Sequence, residues 1–389
     1  MDLNSKQKLI RITTVPISLE KLLENQLRFM KQYYDVTAIS ADFSNLERVG
    51  KLQEVPVYAI EMTRKITPWQ DLKATWQLFR FFKKEKPFII HTHTPKAGTV
   101  GMLAARLAGV PHRLHTVAGL PLLEATGKKR RLLNFVEKIT YACATKVYPN
   151  SDGLKKIIIE EQFCEQEKLK VIGNGSSNGI NTSYFAPELF SVNDKQTLKT
   201  NLGITPEDFV FIFVGRLVGD KGINELIQAF QKIVAETNHV KLLLVGPLES
   251  DLDPLTPETL HEITTDENII SVGFQKDVRS YLAISDCLAF PSYREGFPNV
   301  VMQAGAMGLP SIVTNINGCN EIIVEGENGI IIPVKNSNAI YEAMNKMVVD
   351  NHFRNKLEQN ARQMIVSRYE QQVVWESILA EYKRLEQDV

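Results

Sequence analysis

The chain has 389 residues, more than one ordinary core holds, so two domains of about 150–200 residues are expected, and its 44% apolar and 23% charged content excludes wholesale disorder. Its 45 basic and 45 acidic residues cancel overall, but residues 1–150 carry 24 Lys and Arg against 12 Asp and Glu, while the rest carries 21 against 33. Four scattered cysteines (Cys143, Cys164, Cys287, Cys319), a polar start and no apolar run of about 20 residues argue against a secreted or membrane-spanning chain; a cytoplasmic chain, at most held on a membrane surface, is expected.

Short apolar runs of strand type alternate with amphipathic helical stretches. The first half predicts strands at Leu9–Thr14, Val36–Ser40, Phe88–His91, Arg113–Val117, Lys146–Pro149 and Lys170–Ile172, with helices over Leu19–Gln32, Gln70–Phe82 and Lys129–Cys143. After the first strand, Ser18 is a candidate cap for the next helix. His91-Thr92-His93-Thr94-Pro95-Lys96 leaves a strand and enters a helix. An HxH pair invites a metal, yet no further ligand sits at the right spacing, so none is expected. Lys96 at the helix start suits a phosphate, or is simply a solvated lysine. His115 ends another strand, open to a ligand or bonded to a neighbouring carbonyl. Leu120–Leu123 joined to Lys128, Lys129, Arg130 and Arg131 suits an anionic membrane surface, with a plain solvated helix face as the alternative. No nucleic-acid module is recognisable, so no such partner is expected.

Gly173–Gly179 is a run of turn formers and reads as a hinge. The second half repeats the βα scheme with strands at Phe209–Val214, Lys241–Val245, Ile269–Val272, Cys287–Phe290, Ser311–Thr314 and Gly329–Pro333. Runs apolar at every position suit parallel strands covered on both faces, so each half is expected to be a doubly wound α/β sheet. After the first of these strands come Arg216 and Lys221 in a glycine-bearing loop that feeds a helix, an arrangement suited to an anion. After the fourth, Glu295, Gly296, Phe297, Pro298 and Asn299 lead into a helix over Val300–Met307, with Asn299 a candidate cap and Gln303 one turn on. Free N–H groups there suit a diphosphate, and Glu295 suits sugar hydroxyls. The final stretch, Tyr369–Leu385, is amphipathic.

Several pieces carry a resemblance: Val214-Gly215-Arg216-Leu217 with Lys221-Gly222, Val272-Gly273-Phe274, Pro291 to Ala304, Ala306-Met307-Gly308-Leu309-Pro310, and Gly318 to Ile323. In this order and spacing they resemble the GT4 family of retaining, GT-B-fold glycosyltransferases along nearly the whole chain. The resemblance implies two Rossmann-like domains facing a cleft: residues 1–175 for the acceptor, 176–365 for the nucleotide sugar, and a helix in 366–389 crossing back to the first. It implies Arg216, Lys221 and the amides of Gly296 to Asn299 on the donor diphosphate, and Glu295 and His115 at the transferred sugar. Gly273, Phe274 and position 303 would hold the nucleotide, although Gln303 stands where the family's E-x7-E pattern has its second acid. Ser18, His93 and Lys96 become acceptor candidates. The expected reaction moves a hexose or N-acetylhexosamine from a UDP-sugar, with retention and no metal, to a lipid-linked saccharide at a bacterial membrane. A UDP-sugar 2-epimerase of the same fold, or a non-catalytic nucleotide-sugar-binding subunit, are the rivals.

Overall fold

In a computed structural model the described residues are 6–63, 65–249 and 253–387. They form two compact units, one running to Asn178 and resuming at Gln372, the other spanning Gly179–Gln371. These boundaries lie slightly beyond the 175 and 365 expected from sequence. The reason is local. Ile180 N donates to Tyr369 O (2.8 Å) and Gln371 N donates to Ile180 O (3.1 Å), which keeps the whole helix Asn351–Tyr369 in the second unit. On the other side, Asn178 takes hydrogen bonds from Gln26 Nε2 (3.0 Å) and Trp375 Nε1 (2.7 Å), so the turn-rich segment ends anchored in the first unit.

The first unit holds β1 (Lys8–Ile12), β2 (Asp35–Ser40), β3 (Val57–Ala59), β4 (Ile89–His93), β5 (His112–Val117) and β6 (Lys146–Pro149). The second holds β7 (Phe209–Val214), β8 (Val240–Val245), β9 (Ile269–Ser271), β10 (Cys287–Phe290), β11 (Ser311–Thr314) and β12 (Gly329–Ile332). The sheet orders are β3-β2-β1-β4-β5-β6 and β12-β11-β10-β7-β8-β9, and the pairings are parallel. Both sheets thus wind outward from the centre in one direction and then the other. The winding reverses between β1 and β4, and between β7 and β10, the places where open α/β sheets bind ligands. The class is GT-B, with two doubly wound Rossmann-like domains. Strands such as β10, buried at all four positions, explain why the sheets read as unbroken apolar runs. The helix Gln371–Gln387 completes the first unit by burying Val374, Ile378, Tyr382 and Leu385 against Leu9, Val36 and Leu114.

Four local expectations need correction. Lys170–Ile172 is not a strand; a single bridge between Val147 and Leu169 is all that continues the sheet there. Val57–Ala59 is an edge strand of only 3 residues, too short to show an alternating pattern in the sequence. The helix expected over Leu19–Gln32 breaks into Pro16–Leu22 and Gln26–Met30, because Asn25 takes a left-handed φ of 58°. Neither Ser18 nor Asn299 is a cap: Val15 and Pro298 occupy those positions, leaving Ser18 inside the first turn and Asn299 as the first helical residue.

Candidate functional site

In the second unit, the loops after β7 and β10 flank the winding reversal and touch. Gly222 makes the contact possible. It has φ 71°, and a Cβ on it would stand 2.2 Å from the Pro291 carbonyl oxygen, so no other residue fits. Tyr293 N donates to Asp220 O (2.9 Å) beside it. The closeness brings Lys221 Nζ onto Glu295 Oε1 as an ion pair, with side chains only 15% and 18% exposed. Ser292 Oγ lies 3.1 Å from the same carboxylate oxygen. From the end of β11, Thr314 Oγ1 donates to Ser292 O, and Asn317 Nδ2 donates to the carbonyls of Glu295 and Gly296. The loop holding Glu295 is therefore fixed from both sides.

Arg216 leaves β7 half-exposed, its Nη1 3.1 Å from Glu249 Oε2. The loops after β7, β8 and β9 are bonded side by side: Leu217 N donates to Pro247 O (2.8 Å) and Gly246 N to Gly273 O (2.9 Å). Arg216 and Gly273-Phe274 thus share one rim, where Phe274 is 73% exposed. The helix Asn299–Ala306 begins at this end too, and half-buried Gln303 stands one turn in. Among the residues assigned to a diphosphate, Pro298 must be corrected. It has no N–H and shapes the turn, while Gly296, Phe297 and Asn299 can donate. Glu321 accepts from Gly318 N (3.3 Å) and caps its own short helix.

In the first unit, His115 is buried, with Nδ1 2.8 Å from Thr92 Oγ1. Burial pushes its pKa down to about 4, so the ring is neutral near pH 7. Gly98 lets that ring pack on the helix Pro95–Ala108, since a Cβ there would lie 2.4 Å from His115 Cε1. His93 is not open to an acceptor: it is buried, and its Nε2 receives Arg11 Nη2 at 2.8 Å. His91 contacts the Tyr382 hydroxyl through Nδ1 (2.5 Å) and Thr116 through Nε2 (2.7 Å). Burial first, then neighbouring positive charge, holds both histidines well below their ordinary pKa. The HxH pair is thus spent on internal bonds, and among the described residues no group of three His, Cys, Asp or Glu could hold a metal.

Lys96 is no solvated lysine; it pairs with Asp71 Oδ2 at 2.5 Å and is 13% exposed. Ser18 is half-buried in its helical turn. Of the basic cluster, Lys128, Lys129 and Arg131 are exposed, but Arg130 is taken by Glu161, Asn134 Oδ1 (2.9 Å) and Leu122 O (2.9 Å). No described helix is long and apolar enough to cross a membrane.

Sequence reasoning missed Ser292, Thr314 and Asn317 around Glu295, Thr92 beside His115, and Glu249 opposite Arg216. Ser292 and Thr92 lay inside motifs already singled out. Glu249 carried no signal, because its partner comes from another strand's loop.

Residues 27–175 match the family model for a glycosyl transferase 4-like domain, and residues 194–364 match that for glycosyl transferases group 1. Over 377 residues the chain is 34% identical to the capsular polysaccharide biosynthesis glycosyltransferase CapM of Staphylococcus aureus, covering 97% of each chain. It is 31% identical to an Escherichia coli UDP-Gal:α-D-GlcNAc-diphosphoundecaprenol α-1,3-galactosyltransferase, covering 79% of this chain and 78% of that one. The crystal structure of HepE from Anabaena with UDP and glucose superposes with a TM-score of 0.79 at 19% identity, over 97% of this chain and 100% of that one. An enzyme similar from end to end, with both domain models matched in order, places this chain in the group 1, GT4-type family of glycosyltransferases.

Proposed function

We propose that the chain transfers a hexose or N-acetylhexosamine from a UDP-sugar, with anomeric retention, to a saccharide carried on undecaprenyl diphosphate at the inner face of a bacterial membrane, in the assembly of a surface polysaccharide. The Lys221–Glu295 pair carries this reading. In a nucleotide sugar the anomeric carbon is bonded directly to the diphosphate, so the groups recognising the two halves must be neighbours. Lys221, suited to the diphosphate, and Glu295, suited to sugar hydroxyls, are neighbours at a helix start. The UDP bound to HepE and the UDP-Gal donor named for the E. coli relative support the nucleotide. That relative's diphosphoundecaprenol acceptor and the capsular role named for CapM support the acceptor class.

In this reading Arg216, Lys221 and the first-turn amides offset the charge that develops on departing UDP. Glu295 accepts hydrogen bonds from the transferred sugar. Exposed Phe274 stacks on the base and Gln303 bonds the ribose. No covalent nucleophile is assigned: the acceptor hydroxyl enters on the face UDP leaves, which retains configuration. The reading gives no step to a metal or organic cofactor.

The test is a screen of UDP-sugars against mixed bacterial lipid-linked saccharides, read by mass spectrometry. Growth of a lipid-linked saccharide by one sugar, requiring both substrates, is the expected result. Isomerisation of a UDP-sugar without acceptor would instead establish an epimerase, and UDP binding without any product would establish a non-catalytic subunit.

A further inference from the structure

Trp69, Leu72 and Trp76 are 84%, 61% and 59% exposed on the first turns of the helix Pro68–Glu85. Their spacing of three and four residues aligns them in one stripe, opposite the buried Ala74, Leu78 and Phe82 that hold the helix to the sheet. Two exposed tryptophans on successive turns of one stripe, with Leu72 between them, form an apolar patch of the kind that marks an interaction surface.

The stripe belongs to a larger rim. Strands β3, β4 and β5 each feed a helix, namely Pro68–Glu85, Pro95–Ala108 and Gly127–Cys143, with Pro95–Ala108 packed between the other two. Each helix starts where a parallel strand leaves the sheet at its carboxyl end, so the three starts lie along one edge of the unit. The Lys96–Asp71 pair ties the first two starts together. On the third, Leu132 and Phe135 are 44% and 61% exposed beside exposed Lys128, Lys129 and Arg131. Exposed Lys65 and Lys73 flank the tryptophans.

We propose that this rim docks on an anionic lipid surface, with Trp69, Leu72 and Trp76 entering the headgroup layer while the lysines meet lipid phosphates. Charge and side-chain chemistry together select this occupant. Tryptophan, with an apolar body and one polar N–H, settles at membrane interfaces. The surrounding cations, in a half with 24 basic against 12 acidic residues, match an anionic surface and oppose a second copy of the same rim. The proposal deepens the reading of a lipid-linked acceptor and adds a helix that the basic cluster alone does not include.

Intrinsic fluorescence reads this surface directly. Of the three tryptophans, Trp375 is held by Asn178 and packed on Phe29, leaving Trp69 and Trp76 as the exposed reporters. The full chain is titrated, without donor or acceptor, with vesicles of phosphatidylglycerol or phosphatidylcholine, some with brominated chains. Anionic vesicles should blue-shift the emission, brominated chains should quench it, and salt should reverse both. The Trp69→Ala/Trp76→Ala variant should bind anionic vesicles at least tenfold more weakly, with unchanged UDP affinity and melting temperature. The Trp375→Phe variant should keep the shift. Absence of a vesicle-dependent shift overturns the proposal, as does equal vesicle binding by the double variant. A shift that follows protein concentration without lipid would instead identify a second copy as the occupant. Because no substrate is present, failure here leaves the transferase reading intact, and failure of the donor screen leaves vesicle binding unchanged.

Discussion

Replacing Glu295 with Gln tests whether the sugar and the diphosphate are recognised by separate members of one ion pair. The amide keeps the shape of the carboxyl group and can still lie against Ser292 Oγ, now 3.1 Å away, but it removes the charge that pairs with Lys221. A hydrogen bond to a charged acceptor contributes about 1.5–3 kcal/mol, so losing it at the transferred sugar should lower kcat/KM roughly 10- to 150-fold. UDP alone should behave differently. In the proposed reading its diphosphate meets Lys221, which in the wild-type chain is already paired with Glu295. Releasing that lysine should leave UDP affinity unchanged or raise it. The partly exposed pair contributes on the order of 1 kcal/mol to folding, so the variant should remain folded. Steady-state transfer and calorimetric UDP titration on the same preparation separate the two effects. Transfer within threefold of wild type, or UDP affinity falling in step with transfer, would refute the division of roles.

Gly98→Ala places a methyl group 2.4 Å from His115 Cε1, so ring or helix must move. Overpacking of this kind costs about 1–3 kcal/mol, against a gain of up to about 1 kcal/mol from helix propensity, and thermal melting should show a net loss; a more stable variant would mean the ring has room. Gln303→Glu puts a charged acceptor at the proposed ribose position and should tighten UDP binding about tenfold by calorimetry, whereas unchanged affinity would remove Gln303 from the nucleotide site. His115 titrates at about 4 when folded against 6.5 ordinarily, so its contribution is present above pH 6.5 and is lost as pH falls through 4. That amounts to about 2 kcal/mol of stability lost by pH 5 from this residue alone, with His91 and His93 acting in the same direction. Urea unfolding at pH 7.5 and pH 5 should show the fall, and equal midpoints would contradict neutral, buried histidines.

In the second unit's candidate site the placement of the singled-out residues was legible because their segments are local. Arg216, Lys221, Glu295 and Asn299 each lie in the single loop between a strand and the next α-helix or at that helix's start, and a strand, a glycine-bearing loop and a helix start can be read from consecutive residues. The partners of those side chains could not be read the same way. Glu249, Thr314 and Asn317 reach the site from other loops, and their placement depends on the strand order β10-β7-β8 and on β11 beside β10. Helix starts failed for a related reason: Ser18 and Asn299 are good capping residues, but Pro16 and Pro298 set the backbone entry and shift the start of each helix.

His93 shows the harder limit. Residue types and spacing made it a candidate for an acceptor or a metal, yet what decides its chemistry is Arg11, which β1 places beside β4 at the winding reversal of the first sheet. Arg11 is fully buried and donates to three neutral groups: Gln26, Tyr382 and His93. A guanidinium has no lone pair to offer, so His93 Nε2 must accept, and a proton there would set two cations 2.8 Å apart in a buried setting. The same argument reaches His91 through the Tyr382 hydroxyl, supplied by the C-terminal helix. Both sheets follow one winding scheme but use the reversal differently. In the second, glycine-bearing loops leave Arg216 half-exposed there and Lys221 paired with Glu295, while in the first the C-terminal helix closes over the cation and turns the position into structure.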